Sequence, residues 1–547
     1  MSDQRDAVRS NAKYLRNVRP VDPEEICEYI EGNPHPAVVR QLLREEAASL
    51  GLLEQDDETF VPVDDEPVEP NRGPVERVPE TYERRLEDLL VERYGVNWHE
   101  DATGDLLRST IRRFKASYLE RDPVEYDEDV AAGYAIYHLP GYYAAVQYAL
   151  DDLAERGLLG RRLRVLDIGA GVGGPALGLC SYLPDDALLE YHAVEPSAAA
   201  DVLESLLEET GRNVHATIHR STIESFDPTD VVGEDGGDEG GNSDRFDPTA
   251  PDDGFDLILA ANVLSELEDP TAVARDALEW LAPDGTLLAM APADKNTSTQ
   301  LRAVERDLED DRVWSPAQLG AAEDGARERG ESDDGDRPEA GGTDGRRDGD
   351  GDADRRGLVT VYGPTVRLWP GERPTDRGWS FDARPDLEVP SFQRKLDEAT
   401  PGDDEEHAPG EFVNVDVQFS SSLLRLDGTR RIDVALETSD WAKMAEMERH
   451  VTNRIDIAAA KLSRSLSEDE NSGYDASSTN PLFKISDGSE STDHYAVLTS
   501  ETSLNRPLLE AEYGEVCTFE QVLALWNDDE EAYNLVVDEQ TIVDRIG

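Results

Sequence analysis

The stretch "VLDIGAGVGGPALGL", which begins at Val165, limits the folds open to this chain more than any other. A short apolar run with the pattern of a buried strand gives way to Gly169, Gly171, Gly173 and Gly174, and an apolar helical pattern starts at once. Glycine turns a strand sharply into a helix and lets a ligand approach the backbone. Strand and helix patterns then largely alternate: "LRVLDIG", "GPALGLCSYL", "LEYHAVE", "AAADVLESLLEETG", "NVHATIHRS", "FDLILAANVL", "PTAVARDALEWL" and "GTLLAMAP". That order specifies an α/β, Rossmann-like fold, a mostly parallel sheet with helices on both faces. Its ligand belongs beyond the carboxyl ends of the strands, where the glycines fall.

Two nucleotide-binding patterns fit these glycines. Gly169, Gly171 and Gly174 satisfy the G-x-G-x-x-G of dinucleotide sites, and Gly169, Gly171 and Gly173 satisfy the G-x-G-x-G of S-adenosylmethionine enzymes. Asp167 discriminates between them. A dinucleotide sets its pyrophosphate at the helix N-terminus, where a neighbouring carboxylate repels it. S-adenosylmethionine has no phosphate, and its ammonium and sulfonium are both cationic, so an acid at Asp167 favours the methyl donor. Glu195 ends the next strand in "YHAVEPS", about 20 residues on, where a carboxylate can accept both ribose hydroxyls. Ser221, after the third strand, is placed to face the adenine or is simply a solvated strand end. Asn262, in "AANVLSELEDP", either lines the pocket or caps a strand end, and Glu266 just beyond it reads as a solvated helix-face acid that could also reach the reacting group.

No catalytic residue is legible. Methyl transfer is an in-line displacement at a carbon already activated by sulfonium, so positioning supplies much of the rate. There is no N-P-P-Y after the fourth strand and no Cys there, which disfavours exocyclic-amine and pyrimidine C5 methylation by the routes that use them. A G-x-S-x-G elbow and a Walker loop are absent too. The nine His do not cluster at metal spacing, and His215 and His219 alternate within a strand pattern, so no metal site is expected.

With 120 Asp plus Glu against 53 Lys plus Arg, of which only 7 are Lys, the net charge is -67. Such a charge spread along the whole chain, with Lys nearly replaced by Arg, is what keeps a protein hydrated in molar salt, and a halophilic source is expected. At about 1 M salt the screening length falls to about 3 Å, so an acidic chain can still meet RNA through local Arg contacts. Cys27, Cys180 and Cys517 lie far apart, which excludes a disulfide framework and points to a reducing compartment. No apolar run reaches the length of a membrane span and the polar N-terminus lacks a signal-peptide core, so a cytoplasmic protein without membrane partners is expected.

The chain is too long for one core. Residues 1–20 read as a tail. Residues 21–66 hold helix, turn, helix and a strand pair, "GLLEQ" and "TFVPV", in the order of a winged-helix domain. A helical domain covers 78–157, the cofactor-binding domain 158–300, an Arg-rich and aromatic extension 358–435, and a C-terminal helix with a β-rich domain 436–547. An insert at 231–254 and an acidic linker at 320–357, rich in Gly, Asp and Ser, have almost nothing to bury and are expected to be disordered.

Three segments together, "AIYHLPGYYAAVQYAL", "VLDIGAGVGG" and "NVLSEL", resemble the methyltransferase-like small-ribosomal-subunit assembly proteins of mitochondria and bacteria. Farther on, "GWSFDARPDLEVPSFQRKL", "VQFSSSLLRLDG" and "LLEAEYGEV" look like later segments of that family, and the likeness covers about Tyr126 to Val516. It implies a class I methyltransferase fold, S-adenosylmethionine as cofactor and the small ribosomal subunit with its rRNA as partner, whether the protein methylates or only assists assembly. Many members hold an iron–sulfur cluster on four cysteines; here Tyr362, Trp369 and Ser380 stand near those places, so no cluster is expected and packing of Trp369, Trp379 and Phe381 is expected instead. The same region carries Arg367, Arg373, Arg377, Arg384, Arg394 and Lys395 among aromatics. Arg367, Arg377, Arg384 and Arg394 are the expected RNA contacts, with ordinary ion pairing as the competing role. "LFKISDGSESTDHYAVLTS" reads as a strand pair opening a domain related to oligonucleotide-binding barrels. A small-molecule methyltransferase is the remaining reading, for which the long C-terminal extension has no evident use.

Overall fold

The computed structural model describes residues 2–120, 124–231, 254–314, 356–372, 379–401, 407–468 and 480–546. Almost all of the two expected linkers lies outside them. The chain forms two compact units: Met1–Phe246 with Phe255–Leu259 and Pro385–Val417, and Asp247–Gly254 with Ala260–Arg384 and Gln418–Gly547.

The first unit opens with helices α1 (Ser2–Leu15), α2 (Pro23–Tyr29) and α3 (Pro36–Leu50), then strands β1 (Leu52–Glu54) and β2 (Phe60–Pro62), which pair antiparallel. The expected tail is therefore incorrect. Val8, Ala12 and Leu15 recur on one face of α1 and are buried in one core with Ile26, Leu43 and Phe60. Asp22 caps α2 by accepting from Glu24 N, and Gly51 ends α3 in the left-handed conformation. Helices α4 (Glu80–Tyr94), α5 (Asp101–Glu120), α6 (Glu128–Tyr137) and α7 (Leu139–Ala154) follow. Pro140 lies in the first turn of α7 and marks the break from α6.

Strands β3 (Arg162–Ile168), β4 (Leu188–Val194), β5 (Val214–His219) and β6 (Phe255–Ala261) are parallel in the order β5-β4-β3-β6, with α8 (Gly174–Tyr182) and α9 (Ala199–Leu207) as crossovers. β3 and β4 are almost wholly buried, as strands covered on both faces must be. β3, the first strand of this sheet in sequence, lies inside it, and the chain steps outward from it through β4 to β5. That leaves the carboxyl ends of β3 and β4 side by side.

In the second unit, α10 (Pro270–Glu279) leads into β7 (Leu281–Pro292), and α11 (Lys295–Leu308) follows. Beside β7 lie β10 (Val417–Arg425) and β8 (Thr360–Gly363), in the order β7-β10-β8 and antiparallel throughout. The segment read as a separate extension thus supplies three strands to the sheet around β7: β8, β10 and β9 (Asp382–Arg384), which also pairs with β10. "VQFSSSLLR" is buried along nearly its whole length because it lies between strands on both sides.

The C-terminal part departs from expectation in one element. No α-helix opens it; a 3-10 segment, Met444–His450, does. After it, β11 (Arg454–Lys461), β12 (Leu482–Ser486), β13 (His494–Leu498), β14 (Val516–Asn527) and β15 (Ala532–Val537) run in the order β11-β12-β13-β15-β14, and β14 returns to β11. The result is a closed five-stranded barrel in which β13 and β15 are parallel and all other neighbours antiparallel. Ile457, Phe483, Ala496, Phe519 and Leu535 fill it. A sixth strand, β16 (Ile542–Arg545), pairs with the start of β14.

Candidate cofactor site

The site begins where β3 runs out. Gly169, Gly171 and Gly173 have φ of 64°, 55° and 91°, a region that side chains with a Cβ resist, so the bend needs glycine at each. Gly174 is needed for another reason: a Cβ there would meet Leu139 O and Tyr142 Cβ at 3.0 Å. The two competing glycine patterns therefore divide into one set that shapes the turn and one residue that admits α7. Gly169 N and Ala170 N both donate to Val194 O, at 2.9 and 3.3 Å, which ties the turn to the end of β4.

Glu195 completes that tie. Its Oε2 accepts from Gly171 N at 2.8 Å and its Oε1 from Ser197 N at 2.9 Å, and the residue is buried. One carboxylate thus braces the glycine turn and the loop into α9. Each oxygen keeps a lone pair for a ligand hydroxyl. Ser221 follows β5, its N–H bonded to His219 O at 2.9 Å, while Glu195 N donates to the same carbonyl at 3.0 Å. Asp167, the three glycines, Glu195 and Ser221 accordingly gather at the carboxyl ends of neighbouring strands of the first unit.

Asp167 differs from the simple expectation of a charged acid facing a ligand. It is fully buried; its Oδ2 accepts from the Tyr191 hydroxyl at 2.6 Å, and its Oδ1 has no hydrogen-bond partner. Burial pushes its pKa up to about 7, against the opposing pull of Tyr191, and the charge of Glu195 adds to the rise. Tyr191 is the residue that spacing alone missed. The register was the available signal: Ala193 pairs with Asp167, and Tyr191 lies two residues before it on the same face.

The remaining expected residues are placed as follows. Asn262 belongs to the second unit, where it adopts φ 63° and its N–H donates to Met290 O at 3.0 Å; Glu266 is exposed in a short 3-10 turn. Arg367 bonds Glu309 at 3.2 Å, Asp310 at 2.9 Å and Glu372 O at 2.7 Å. Arg384 bonds Asp382 at 2.7 Å and Glu512 at 3.3 Å, and the exposed Arg394 bonds Val389 O at 2.9 Å. Arg373 and Arg377 lie outside the described residues. Arg367 and Arg384 are engaged in the ion pairs that competed with RNA contact as their role.

Where cysteines would stand in the resembling family, Tyr362, Trp369 and Ser380 are buried. Trp369 Nε1 donates to Asp487 at 2.8 Å, Trp379 stacks on Phe381 with centroids 5.0 Å apart, and Ser380 O accepts from the hydroxyls of Ser298 and Ser420. Among the described residues no group of three His, Cys, Asp or Glu could hold a metal ion. Nor is any helix among them long and apolar enough to cross a membrane.

Residues 142–321 match the family described as Methyltransferase domain. The chain carries a methyltransferase domain. It takes in β3, the glycine turn, Glu195 and Ser221. Residues 5–56 match the N-terminal domain, and 445–546 the C-terminal domain, of a family described as a domain of unknown function, DUF8157. No curated protein matches. Among solved structures, the YcgJ protein from Bacillus subtilis is 26% identical over 24% of this chain and 44% of its own, with a TM-score of 0.17. The mitomycin 7-O-methyltransferase MmcR is 16% identical over 53% and 75%, with a TM-score of 0.21, and the plantazolicin methyltransferase BpumL, solved with SAH, is 15% identical over 44% and 71%, with a TM-score of 0.20. At such TM-scores these likenesses carry no argument, and the methyltransferase domain rests on the family match and the sheet.

Its residues fit S-adenosylmethionine. The buried, unpartnered Oδ1 of Asp167 can take a cationic group and would be left worse off by a phosphate; Glu195, an acid that dinucleotide sites also carry at this spacing, fits the ribose of either cofactor.

Proposed function

We propose that this chain binds S-adenosylmethionine at the turn between β3 and α8 and acts as a methyltransferase on the small ribosomal subunit. The orphaned Oδ1 of Asp167 at the head of the glycine turn is the observation that carries the cofactor. Bound there, the cofactor would supply an electrophilic methyl group on sulfonium. Asp167 would orient the cationic methionine end, Glu195 would accept from the ribose while bracing the loop, and the three glycines would let the backbone close on the ligand. Calorimetry of the full chain with S-adenosylmethionine in molar KCl tests this: saturable binding is expected, lost or strongly weakened in Asp167→Asn.

For the acceptor, the barrel supports RNA. A five-stranded closed barrel with strands in the order 1-2-3-5-4 and a parallel 3-5 pair is the connectivity of oligonucleotide-binding barrels. The family-like segments quoted above supply the ribosomal part. Small-molecule methyl transfer is equally compatible with the methyltransferase domain, and a chain that binds the subunit without transfer is compatible too. Sedimentation of cell extract separates the first two, since a small-molecule enzyme stays at the top of the gradient. Mass mapping of rRNA from a deletion strain separates transfer from assembly alone.

A further inference from the structure

The segment "AIYHLPGYY" has no chemical role in the cofactor site described above. It breaks helix α6 from α7 at His138, and its aromatic rings form a cluster rather than a scatter. The His138 ring lies 4.7 Å from Tyr134, 5.0 Å from Tyr137, 5.6 Å from Phe114 and 6.2 Å from Tyr118, and it stacks on Tyr142 at 5.5 Å with an interplanar angle of 6°. Tyr126 packs edge-on to Tyr134 at 5.7 Å and its hydroxyl bonds that of Tyr118, which is 38% exposed. The cluster is therefore open at the Tyr118 edge.

Within it sits an unspent polar atom. His138 occupies the position that caps α7, yet its side chain makes no capping hydrogen bond. Its Nε2 is sealed from solvent and has no hydrogen-bond partner. A buried ring nitrogen left unpaired costs free energy unless something else pairs with it. Burial, reinforced by the neighbouring charge of Lys115, pushes the imidazole pKa down to about 3, so the ring is neutral, and in the tautomer protonated at Nδ1 the orphaned Nε2 is the acceptor.

The cluster also adjoins the glycine turn on two sides. Tyr142 packs so closely on Gly174 that a Cβ there would lie 3.0 Å from its Cβ, and Ala198 N, at the start of α9 beyond Glu195, lies 3.4 Å from Tyr126 O as its hydrogen-bond donor. The rings thus stand beside the loop that would present the donor methyl.

We propose that this aromatic cluster is the acceptor-binding site, taking a flat nitrogen heterocycle that stacks on the tyrosines and pairs its N–H edge with His138 Nε2. Aromatic faces hold any planar ring, and the single buried nitrogen selects for one that brings a donor. An aliphatic amine would bring a donor but no stacking face, and a carboxylate would bring neither. The reading rests on the neighbouring turn being the donor site. The ring can arrive as a base in an RNA strand or as a free small heterocycle.

The test titrates the full chain in molar KCl with the four ribonucleosides, and separately with a mixed-sequence single-stranded RNA octamer, each with and without S-adenosylhomocysteine. His138→Phe keeps a stacking ring and removes the nitrogen. Tyr118→Ala trims the open edge and serves if the first variant fails to fold. Saturable binding of a nucleoside or of the octamer is expected, weakened about tenfold by His138→Phe and by Tyr118→Ala, with S-adenosylhomocysteine affinity within about twofold of the parent. Binding of the octamer alone assigns the strand as source; binding of free nucleosides assigns the small heterocycle. No saturable binding of either probe at millimolar concentration, or equal binding by parent and variants, overturns the acceptor site even if S-adenosylhomocysteine binds. His138-dependent binding of a probe without any affinity for S-adenosylhomocysteine upholds a heterocycle-binding cluster but overturns its role as an acceptor site, along with the donor reading.

Discussion

Asp167 links cofactor binding to protonation. Its pKa in the folded chain, about 7, lies above the 3.8 of an unperturbed aspartate because burial disfavours the charged form. The folded state therefore holds a proton that the unfolded state releases at lower pH. The stability this confers is complete below about pH 4 and is lost as pH rises through about 7. Asp167→Asn removes that titration, so the unfolding midpoint of the parent should fall relative to the variant between pH 5 and 8, measured by thermal melts of both chains across that range. A cation beside Oδ1 reverses the preference and draws the proton off. Binding of S-adenosylmethionine near pH 6.5 should then release protons, seen as a binding enthalpy that changes with the ionisation enthalpy of the buffer. In Asp167→Asn the residual binding, weakened tenfold or more, should carry no such buffer dependence. Equal buffer dependence in both chains would place the proton elsewhere.

At the scale of elements, three glycines predict three different outcomes. Gly178 in α8 meets α7 so closely that a Cβ would lie 2.4 Å from Tyr143 O and from Val146 Cγ1. Backbone cannot yield as a side chain can, so Gly178→Ala should cost about 2 kcal/mol or more in denaturant unfolding. Gly173→Ala meets only the end of the Leu203 side chain but must hold φ at 91°, and should cost about 1–3 kcal/mol. Gly211→Ala meets nothing within 4 Å and should fall within about 0.5 kcal/mol of the parent. The bend at Gly169, Gly171 and Gly173 was legible in the sequence because strand, turn and helix are local and each needs its own residue types. Asp167 and Glu195 were legible for the same reason. The pairing of Asp167 with Tyr191 was not, since it depends on the register between β3 and β4. Nor was the pairing of β7 with β10: Met290 lies opposite Ser421, more than a hundred residues on in the chain, and no local period reports such a partner. α1 was hidden differently, its apolar face of Val8, Ala12 and Leu15 being narrow within a polar stretch.

For the whole molecule, charge is the dominant variable. A net charge of -67 repels itself in the compact state, and at about 0.15 M salt the repulsion reaches about 8 Å before it is screened. Local pairing offsets part of it, as where Arg220 holds Asp201 at 2.7 Å and Glu204 at 2.8 Å, or Arg454 holds Asp538 at 2.5 Å. With 53 basic residues against 120 acids, most carboxylates have no cation to meet. Exposed pairs are themselves weakened by salt, so the two effects oppose each other. The unpaired excess is the larger number, and the sign follows from it: added salt should stabilise. Thermal melts from 0.1 to 3 M KCl should show the midpoint rising on the order of 10 °C, with most of the rise complete by about 1 M, where the screening length has fallen to about 3 Å. A midpoint that stays flat or falls over that range would mean that paired charges, rather than the unpaired excess, govern the stability of this chain.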